Sequence, residues 1–476
     1  MFQRVSKQLL RHETLLQIKR YYAYKIVRIQ PLQRKTNKIE DISAENQGEA
    51  IKNAVYPLWN VPYSEQLELK NDWISYVISQ YYSILDGHLK NNAKAKHRPS
   101  LPSRPRVENI CPSPIIHEYR NKETYMVRTG VDGNPKTVGW IAGNTSGQYV
   151  CVPPVQGIAA PQHVKFAKAF QDYIRLSDLP ACHNFSEGGN WTQVQVRSNQ
   201  DGDVMALIKI HPQQLTQVEI EDECKNITEY FTNGPGSICK LSSLYFQSSG
   251  YFLSSPYTNA SGRLAPYQLL FGEKYLMEKI SGCVFALSPA SFVQCNIKMA
   301  EIMYDKIFTA AKLSPETSVL DLGCGIGTIS ILATPFVRGT VGIDMCEEAI
   351  QDAKSNAGLN NIHSANFIAG TIESKLKSAL KWLQPSSDVV AILNPGRCGV
   401  ETSVLRALRS TPQIRTVIYV ACEPNHEWVI RNVLAIIRPE GKKCKAPPFK
   451  FKSVIPVDMF PLTTHAELIM KFSRSS

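Results

Sequence analysis

The chain has 476 residues, more than one ordinary core accommodates, so two or three domains are expected. A hydrophobic fraction of 43% with 20% charged residues suits a globular enzyme. No apolar run approaches the roughly 20 residues of a membrane-spanning helix, so no membrane insertion is expected. The net charge of +12 sits mainly at the front: ten Lys/Arg against the single acid Glu13 through Lys38 account for +9. If the rest binds nucleic acid, it must do so through local basic patches.

In residues 1–16, Phe2, Val5, Leu9 and Leu16 share one helical face, and Arg4, Lys7 and Arg11 lie opposite. Such an amphipathic, acid-poor start predicts a mitochondrial targeting segment over 1–45; a retained basic arm is the alternative reading. Residues 46–106 read as a helical segment with Trp59, Trp73, Tyr76 and Tyr81, followed by a basic linker. That linker, Lys90–Arg106, carries six Lys/Arg, three prolines and no acid, and is a candidate phosphate-contacting strip.

From 107 to 285, short alternating runs such as TYMVRTG, TQVQVRSN and VMALIKI end in turn residues, with helices such as HVKFAKAFQDYIRL between them. This predicts an α+β domain. From 286 to 476 the pattern becomes strand–helix alternation (SVLDLG, GTVGIDM, VVAILNP, RTVIYVAC), which predicts a mostly parallel sheet covered on both faces. The twelve cysteines include no Cys-x-x-Cys and no zinc-finger spacing, so neither disulfides nor a metal site is expected.

The segment Val319–Thr328 (VLDLGCGIGT) runs from a strand into three glycines and then a helix. Glycines there let a ligand approach the backbone at the carboxyl end of the first strand. Asp321 can attract a cationic amino acid moiety, and Asp344, 21 residues after Gly323, can accept both ribose hydroxyls. The plainer alternative makes the glycines a structural turn and Asp344 a helix cap. Turn and acids together are similar to the S-adenosylmethionine-binding methyltransferases.

Cys422 ends the apolar run IYVAC and precedes Glu423-Pro424. Composition alone would make it a buried core residue, but ligands bind at strand ends of this kind of sheet. Cys398 in NPGRCG is the second candidate. Glu467, a lone acid entering the last strand, reads either as a solvated edge residue or as a base. Such a thiol and base suit methylation at uracil C5, a poor nucleophile until a thiolate adds at C6.

LSPASFVQCN, LDLGCGIGT, Asp344, ILNPGRCGV, YVACEP and FPLTTHAEL occur in this order, and upstream stand EYRNKETYMVRTGVDG and the HPQ of His211–Gln213. Over about 108–476 the chain resembles the RNA (uracil-5-)-methyltransferases, closest to the eukaryotic tRNA branch and its mitochondrial member. The resemblance implies a Rossmann-like S-adenosylmethionine methyltransferase domain behind an α+β RNA-binding domain. It implies cofactor contacts at Gln294, Gly323 and Thr328, with Asp344 on the ribose, and Asn394 beside cofactor and base. It also implies Cys422 as nucleophile and Glu467 as proton acceptor. The implied substrate is a uridine of the tRNA T loop, with ribosomal RNA the alternative. Two departures stand out: Asn394-Pro-Gly-Arg397 replaces the family's Asp-Pro-Pro-Arg, and Ala421 replaces a serine before the cysteine. The rival readings are an amino-methyltransferase, suggested by the Asn-Pro pair, and an RNA-binding chaperone without turnover.

Overall fold

The structure, a computed structural model, describes residues 41–92, 100–143, 149–183, 187–249, 266–383, 388–397, 399–440 and 445–474. Most of the expected targeting segment, residues 1–40, lies outside the described residues, as do 93–99 of the basic linker and Cys398.

Helix α1 (Gln47–Val55) leads into the 30-residue α2 (Tyr63–Asn92). Ile74, Val77, Ile78, Tyr81, Tyr82 and Leu85 recur at three- and four-residue intervals along α2 and form one buried stripe. That stripe packs into the same core as Leu320, Leu393, Val417 and Leu468 of the C-terminal sheet. Helix α2 is therefore part of the C-terminal unit, whereas α1 sets Ile51 against Ala142, Val150 and Val152 of the central unit.

Residues 100–106 of the linker are tied to the C-terminal unit, although most of them stay exposed. Tyr82 donates from its hydroxyl to the Ser103 carbonyl (2.8 Å), and Arg104 stacks over the Tyr82 ring. Strand β1 (Arg106–Val107) then joins the C-terminal sheet in parallel with Ser453 and Val454. From residue 100 onward the linker is docked.

The central unit contains β2 (Lys122–Arg128), β3 (Thr137–Gly143), β4 (Tyr149–Val152), α3 (Pro161–Leu176), β5 (Trp191–Ser198), β6 (Val204–Ile210), α4 (Gln217–Thr232), β7 (Ser243–Ser248) and β8 (Gln268–Gly272). Its seven strands follow the order β4-β3-β2-β5-β6-β7-β8, antiparallel except for β6 with β7. The alternation of TQVQV puts Val194 and Val196 on the face that α3 and α4 cover with Phe166, Phe170 and Phe231. Helix α4 starts at a capping box in which Thr216 and Glu219 satisfy each other's backbone N–H.

A hairpin of β9 (Leu276–Ile280) and β10 (Cys283–Leu287) follows. Sequence reading places it in the central domain, but its apolar face packs into the C-terminal core with Val293 and Met303. Asn356 and Asn360 also accept hydrogen bonds from the backbone N–H groups of Ala286 and Val284, both at 2.8 Å. The boundary at 286 therefore falls inside a packed element.

The C-terminal unit continues with α5 (Ile297–Ala311), β11 (Thr317–Leu322), α6 (Thr328–Ala333), β12 (Gly339–Asp344), α7 (Glu347–Leu359), β13 (Ala365–Ala369) and α8 (Ile372–Trp382). It ends with β14 (Asp388–Leu393), α9 (Thr402–Arg409), β15 (Ile414–Ala421), α10 (Glu427–Ile437), β16 (Lys450–Val457) and β17 (Glu467–Ser473). The eight-stranded order is β1-β16-β17-β15-β14-β11-β12-β13. β17 runs antiparallel to both neighbours. Its amino end therefore reaches the rim formed by the carboxyl ends of β11, β12, β14 and β15. Among the described residues no helix is long and apolar enough to cross a membrane.

Candidate active site

The rim carries most of the residues singled out by sequence. Backbone N–H groups of Gly323 and Cys324 both donate to the Ile343 carbonyl (2.8 and 3.1 Å), which locks the glycine turn against β12. All three glycines take positive φ (82°, 53° and 85°). A side chain at Gly325 would meet open space, and one at Gly323 would only brush the Asn394 carbonyl at 3.9 Å. One at Gly327 would strike Phe367 and Ala353 at 2.9 and 3.1 Å. The first two glycines leave room above the strand ends, and the third lets α6 pack.

Asp344 ends β12 with its carboxylate accepting from the N–H of Gly325 (Oδ2, 2.9 Å) and of Cys346 (Oδ1, 2.9 Å). Cys346, not Asp344, is the N-cap residue of α7. Each Asp344 oxygen keeps a further lone pair for a ligand hydroxyl.

Asp321, near the end of β11, is fully buried and accepts from the Ser330 N–H and hydroxyl (3.0 and 2.9 Å). Burial pushes its carboxyl up to about 7, against the opposing hydrogen bonds from Ser330. Its Oδ2 ties β11 to α6, and its Oδ1 has no partner among the described residues.

Gln294 is buried in the loop between β10 and α5, and Thr328 is buried at the first turn of α6. The central unit holds the Gln294 loop. Arg197 donates to the Ser291 carbonyl (2.5 Å), Asn121 Nδ2 to the Gln294 carbonyl (3.1 Å), and the Asn121 N–H to the Cys295 carbonyl (2.9 Å). Asp352 accepts from Ser288 and Ser291 on the same loop. Sequence reading missed Arg197, Asn121 and Asp352. The Asn121 partner Gln294 is 173 positions away in the chain, and no local pattern signals such a pairing.

Asn394 follows β14 directly and is half-buried. Arg397 extends past it to within 3.8 Å of Glu423, which adjoins Cys422. Asn432, fully buried on α10, accepts from the Val400 N–H and the Tyr419 hydroxyl (both 2.8 Å), joining this loop to β15. Tyr81 of α2 donates to the Pro424 carbonyl (2.5 Å), fixing the turn after Cys422.

Ala421 pairs with Leu468 in the β15–β17 register. Cys422 follows Ala421 and Glu467 precedes Leu468, so both stand at this end of the strand pair, near enough for Glu467 to act electrostatically on the thiol. Glu467 is buried, its Oε2 has no partner among the described residues, and burial pushes its carboxyl up to about 7. Burial pushes the half-buried Cys422 thiol up to about 11; nearby Glu467 adds to the shift and Arg397 opposes it. The pair therefore holds a thiol beside a carboxyl poised near neutrality.

A nucleotide-derived ligand fits this rim by its open glycine turn and its paired carboxylate oxygens. The fold and site are those of a Rossmann-like S-adenosyl-L-methionine-dependent methyltransferase, and residues 313–445 match the family model described as a methyltransferase domain. A solved Pyrococcus abyssi tRNA (uracil-54, C5)-methyltransferase in complex with S-adenosyl-L-homocysteine shares the fold. Its TM-score is 0.59 at 19% identity, covering 87% of this chain and 84% of that one. The Homo sapiens tRNA (uracil-5-)-methyltransferase homolog B is 36% identical over 90% of this chain and 84% of its own length. The Pongo abelii homolog B is 36% identical over 90% and 87%, and the Mus musculus homolog A 33% identical over 89% and 69%. The chain belongs to the tRNA (uracil-5-)-methyltransferase family.

Proposed function

We propose that the chain methylates uridine C5 in RNA through a covalent Cys422 adduct, with the T loop of tRNA as substrate and mitochondrial ribosomal RNA as the alternative. The observation that carries this reading is the placement of Cys422 and Glu467 at the same end of the β15–β17 pair, at the cofactor rim. In it, Cys422 releases its proton to solvent and its sulfur bonds to uracil C6 as the C5=C6 π electrons shift toward C5 and the C4 carbonyl, which makes C5 nucleophilic. S-adenosyl-L-methionine supplies the electrophilic methyl group. Glu467 then takes the C5 proton, the Cys422–C6 bond breaks, and the double bond returns. Gly323, Thr328, Gln294 and Asp344 would hold the cofactor, Asp344 at its ribose, and Asn394 would sit between cofactor and base. A target base inside a stack is out of reach of a buried carboxylate, so an unpaired loop nucleotide suits this site. Arg397 and Glu423 flank the thiol, which places a cation where a base and its phosphate would enter.

The test is incubation with 5-fluorouridine-containing RNA and cofactor, since fluorine at C5 blocks the final proton removal. A covalent protein–RNA adduct is expected that is lost in Cys422→Ala and retained in Cys398→Ala. An adduct that depends on Cys398, or no adduct at all, would overturn the covalent reading. Residues 1–45 are proposed as a mitochondrial targeting segment on their amphipathic, arginine-bearing composition. A fluorescent protein fused behind them should enter mitochondria; cytosolic fluorescence would rule the segment out.

A further inference from the structure

The loop that carries Gln294, between β10 and α5, is gripped from two sides. On one side stands α7 of the C-terminal unit. Asp352 Oδ2 accepts from the hydroxyls of Ser288 and Ser291 (3.3 and 3.1 Å). Asn356 accepts from the Ala286 N–H (2.8 Å) and donates to the Ile326 carbonyl of the glycine turn (3.2 Å). Helix α7 thus holds the start of the loop in register with the glycine turn. These contacts fall at or before Ser291, short of Gln294.

The stretch with Gln294 itself is gripped by the central unit. Asn121, just before β2, donates from Nδ2 to the Gln294 carbonyl (3.1 Å) and from its N–H to the Cys295 carbonyl (2.9 Å). Gln195 and Arg197 of β5 donate to the carbonyls of Pro289 (3.2 Å) and Ser291 (2.5 Å). These donors form one patch. Lys122, next to Asn121, pairs with Arg197 across β2 and β5, and the Asn121 carbonyl accepts from the Ser198 N–H (2.9 Å). The Ser198 hydroxyl meets His163 Nε2 at 3.0 Å, and His163 Nδ1 meets Glu123 at 3.0 Å, which stiffens the patch from behind.

Asn121 takes hold of Gln294 by the main chain, so it uses none of the donors and acceptors of the Gln294 amide. That amide can serve a ligand only if its backbone is fixed, because hydrogen bonds weaken steeply with misalignment. Both residues are buried, where such bonds are stronger than in water. We infer that Asn121 is a positioning residue for the cofactor: through it the central unit places Gln294 and so sets the affinity for S-adenosyl-L-methionine. The inference rests on the reading of Gln294 as a cofactor contact.

The experiment uses the full chain, calorimetry with S-adenosylhomocysteine, and steady-state kinetics on a synthetic tRNA T-arm hairpin. Asn121→Ala deletes the donor; Asn121→Asp keeps the volume but turns an acceptor toward the Gln294 carbonyl. Both should weaken S-adenosylhomocysteine binding about tenfold, the scale of one buried hydrogen bond. The KM for S-adenosyl-L-methionine should rise by a similar factor, while kcat at saturating cofactor and hairpin affinity stay within about twofold of wild type. A packing role would make the near-isosteric Asp variant the milder one; the donor role makes it at least as severe as Ala. Gln195→Ala, at a half-buried position on the same patch, decides the matter if substitution at 121 unfolds the chain, and should cost about threefold. Gln294→Ala alone should weaken binding by the same order as Asn121→Ala, and adding Asn121→Ala to it should cost little more. Wild-type affinity in folded Asn121 variants beside a weakened Gln294→Ala, or losses that multiply in the double variant, would overturn the positioning role alone. Unchanged affinity in Gln294→Ala would remove the cofactor reading of Gln294 and this inference with it. The binding measurement needs no turnover, so a failure of the covalent Cys422 reading leaves its result standing.

Discussion

Lys70 on α2 donates to Asp458 at 2.5 Å, and both side chains are buried. Asp458 also accepts from Tyr63 (2.9 Å), and Lys70 donates to the Phe460 carbonyl (3.0 Å). Asp458 directly follows Val457, the β16 partner of Glu467. Helix α2 thus anchors the strand junction next to the Glu467 carboxyl through a fully desolvated ion pair. Removing one member leaves the other charge buried and unpaired, which costs about 3–5 kcal/mol. Lys70→Met should lower unfolding free energy by that order in urea titration, and Lys70→Met with Asp458→Asn should recover much of the loss. An unaltered single variant would show that water reaches the pair.

Glu467→Gln separates attack from release. The proposed adduct can form, but the C5 proton has no acceptor, so turnover should fall about 10²- to 10⁴-fold. Adduct with ordinary uridine-containing RNA should accumulate on denaturing gels. A variant that turns over at the wild-type rate would remove Glu467 from the chemistry.

The same carboxyl sets a pH dependence. Its folded pKa, about 7, lies above the ordinary 4.5. The folded state therefore favours the protonated form, a contribution present below about 4.5 and lost as pH rises through about 7. At pH 8, Glu467→Gln should be more stable than wild type by up to a few kcal/mol, with the difference shrinking toward pH 5. Single-turnover product formation should show the opposite trend in wild type, rising with pH through about 7 as the base ionises. Stability curves that run parallel from pH 5 to 9 would contradict the buried carboxyl.

Cys422 should be slow toward iodoacetamide near neutrality, because the thiolate reacts and burial holds the thiol up to about 11. Site-resolved mass spectrometry should place the midpoint of its rate–pH profile well above the ordinary thiol range. Glu467→Gln should move that midpoint down by removing the neighbouring negative charge. A midpoint near 8 in the wild-type protein would mean that the thiol is activated before substrate arrives.

Asp344→Ala removes both acceptors proposed for the ribose and frees the Gly325 N–H. S-adenosylhomocysteine affinity should fall roughly 10- to 100-fold by calorimetry, the scale of one or two hydrogen bonds to a charged group. Circular dichroism should remain native, since Asp344 lies at a strand end and outside the core.

The parallel sheet, the glycine turn and the strand-end positions of Asp344, Asn394 and Cys422 were legible in the chain. Each is written locally, in a β-rich apolar run ended by glycine, an acid or proline, and backbone periodicity carries that information over a few residues. The bond from Asp321 to Ser330 was not legible, because Leu320 and Leu322 beside it signal a buried strand without saying which partner an acid on it finds. Docking of α2 and β1 on the C-terminal sheet, and of the β9–β10 hairpin beside it, was equally hidden. An amphipathic face signals that it will be buried but not against what. Tertiary structure alone decided that Glu467 lies near Cys422. Forty-five residues separate them in sequence, and antiparallel insertion of β17 beside β15 brings a thiol and an unpartnered carboxyl together and shifts both their protonation states.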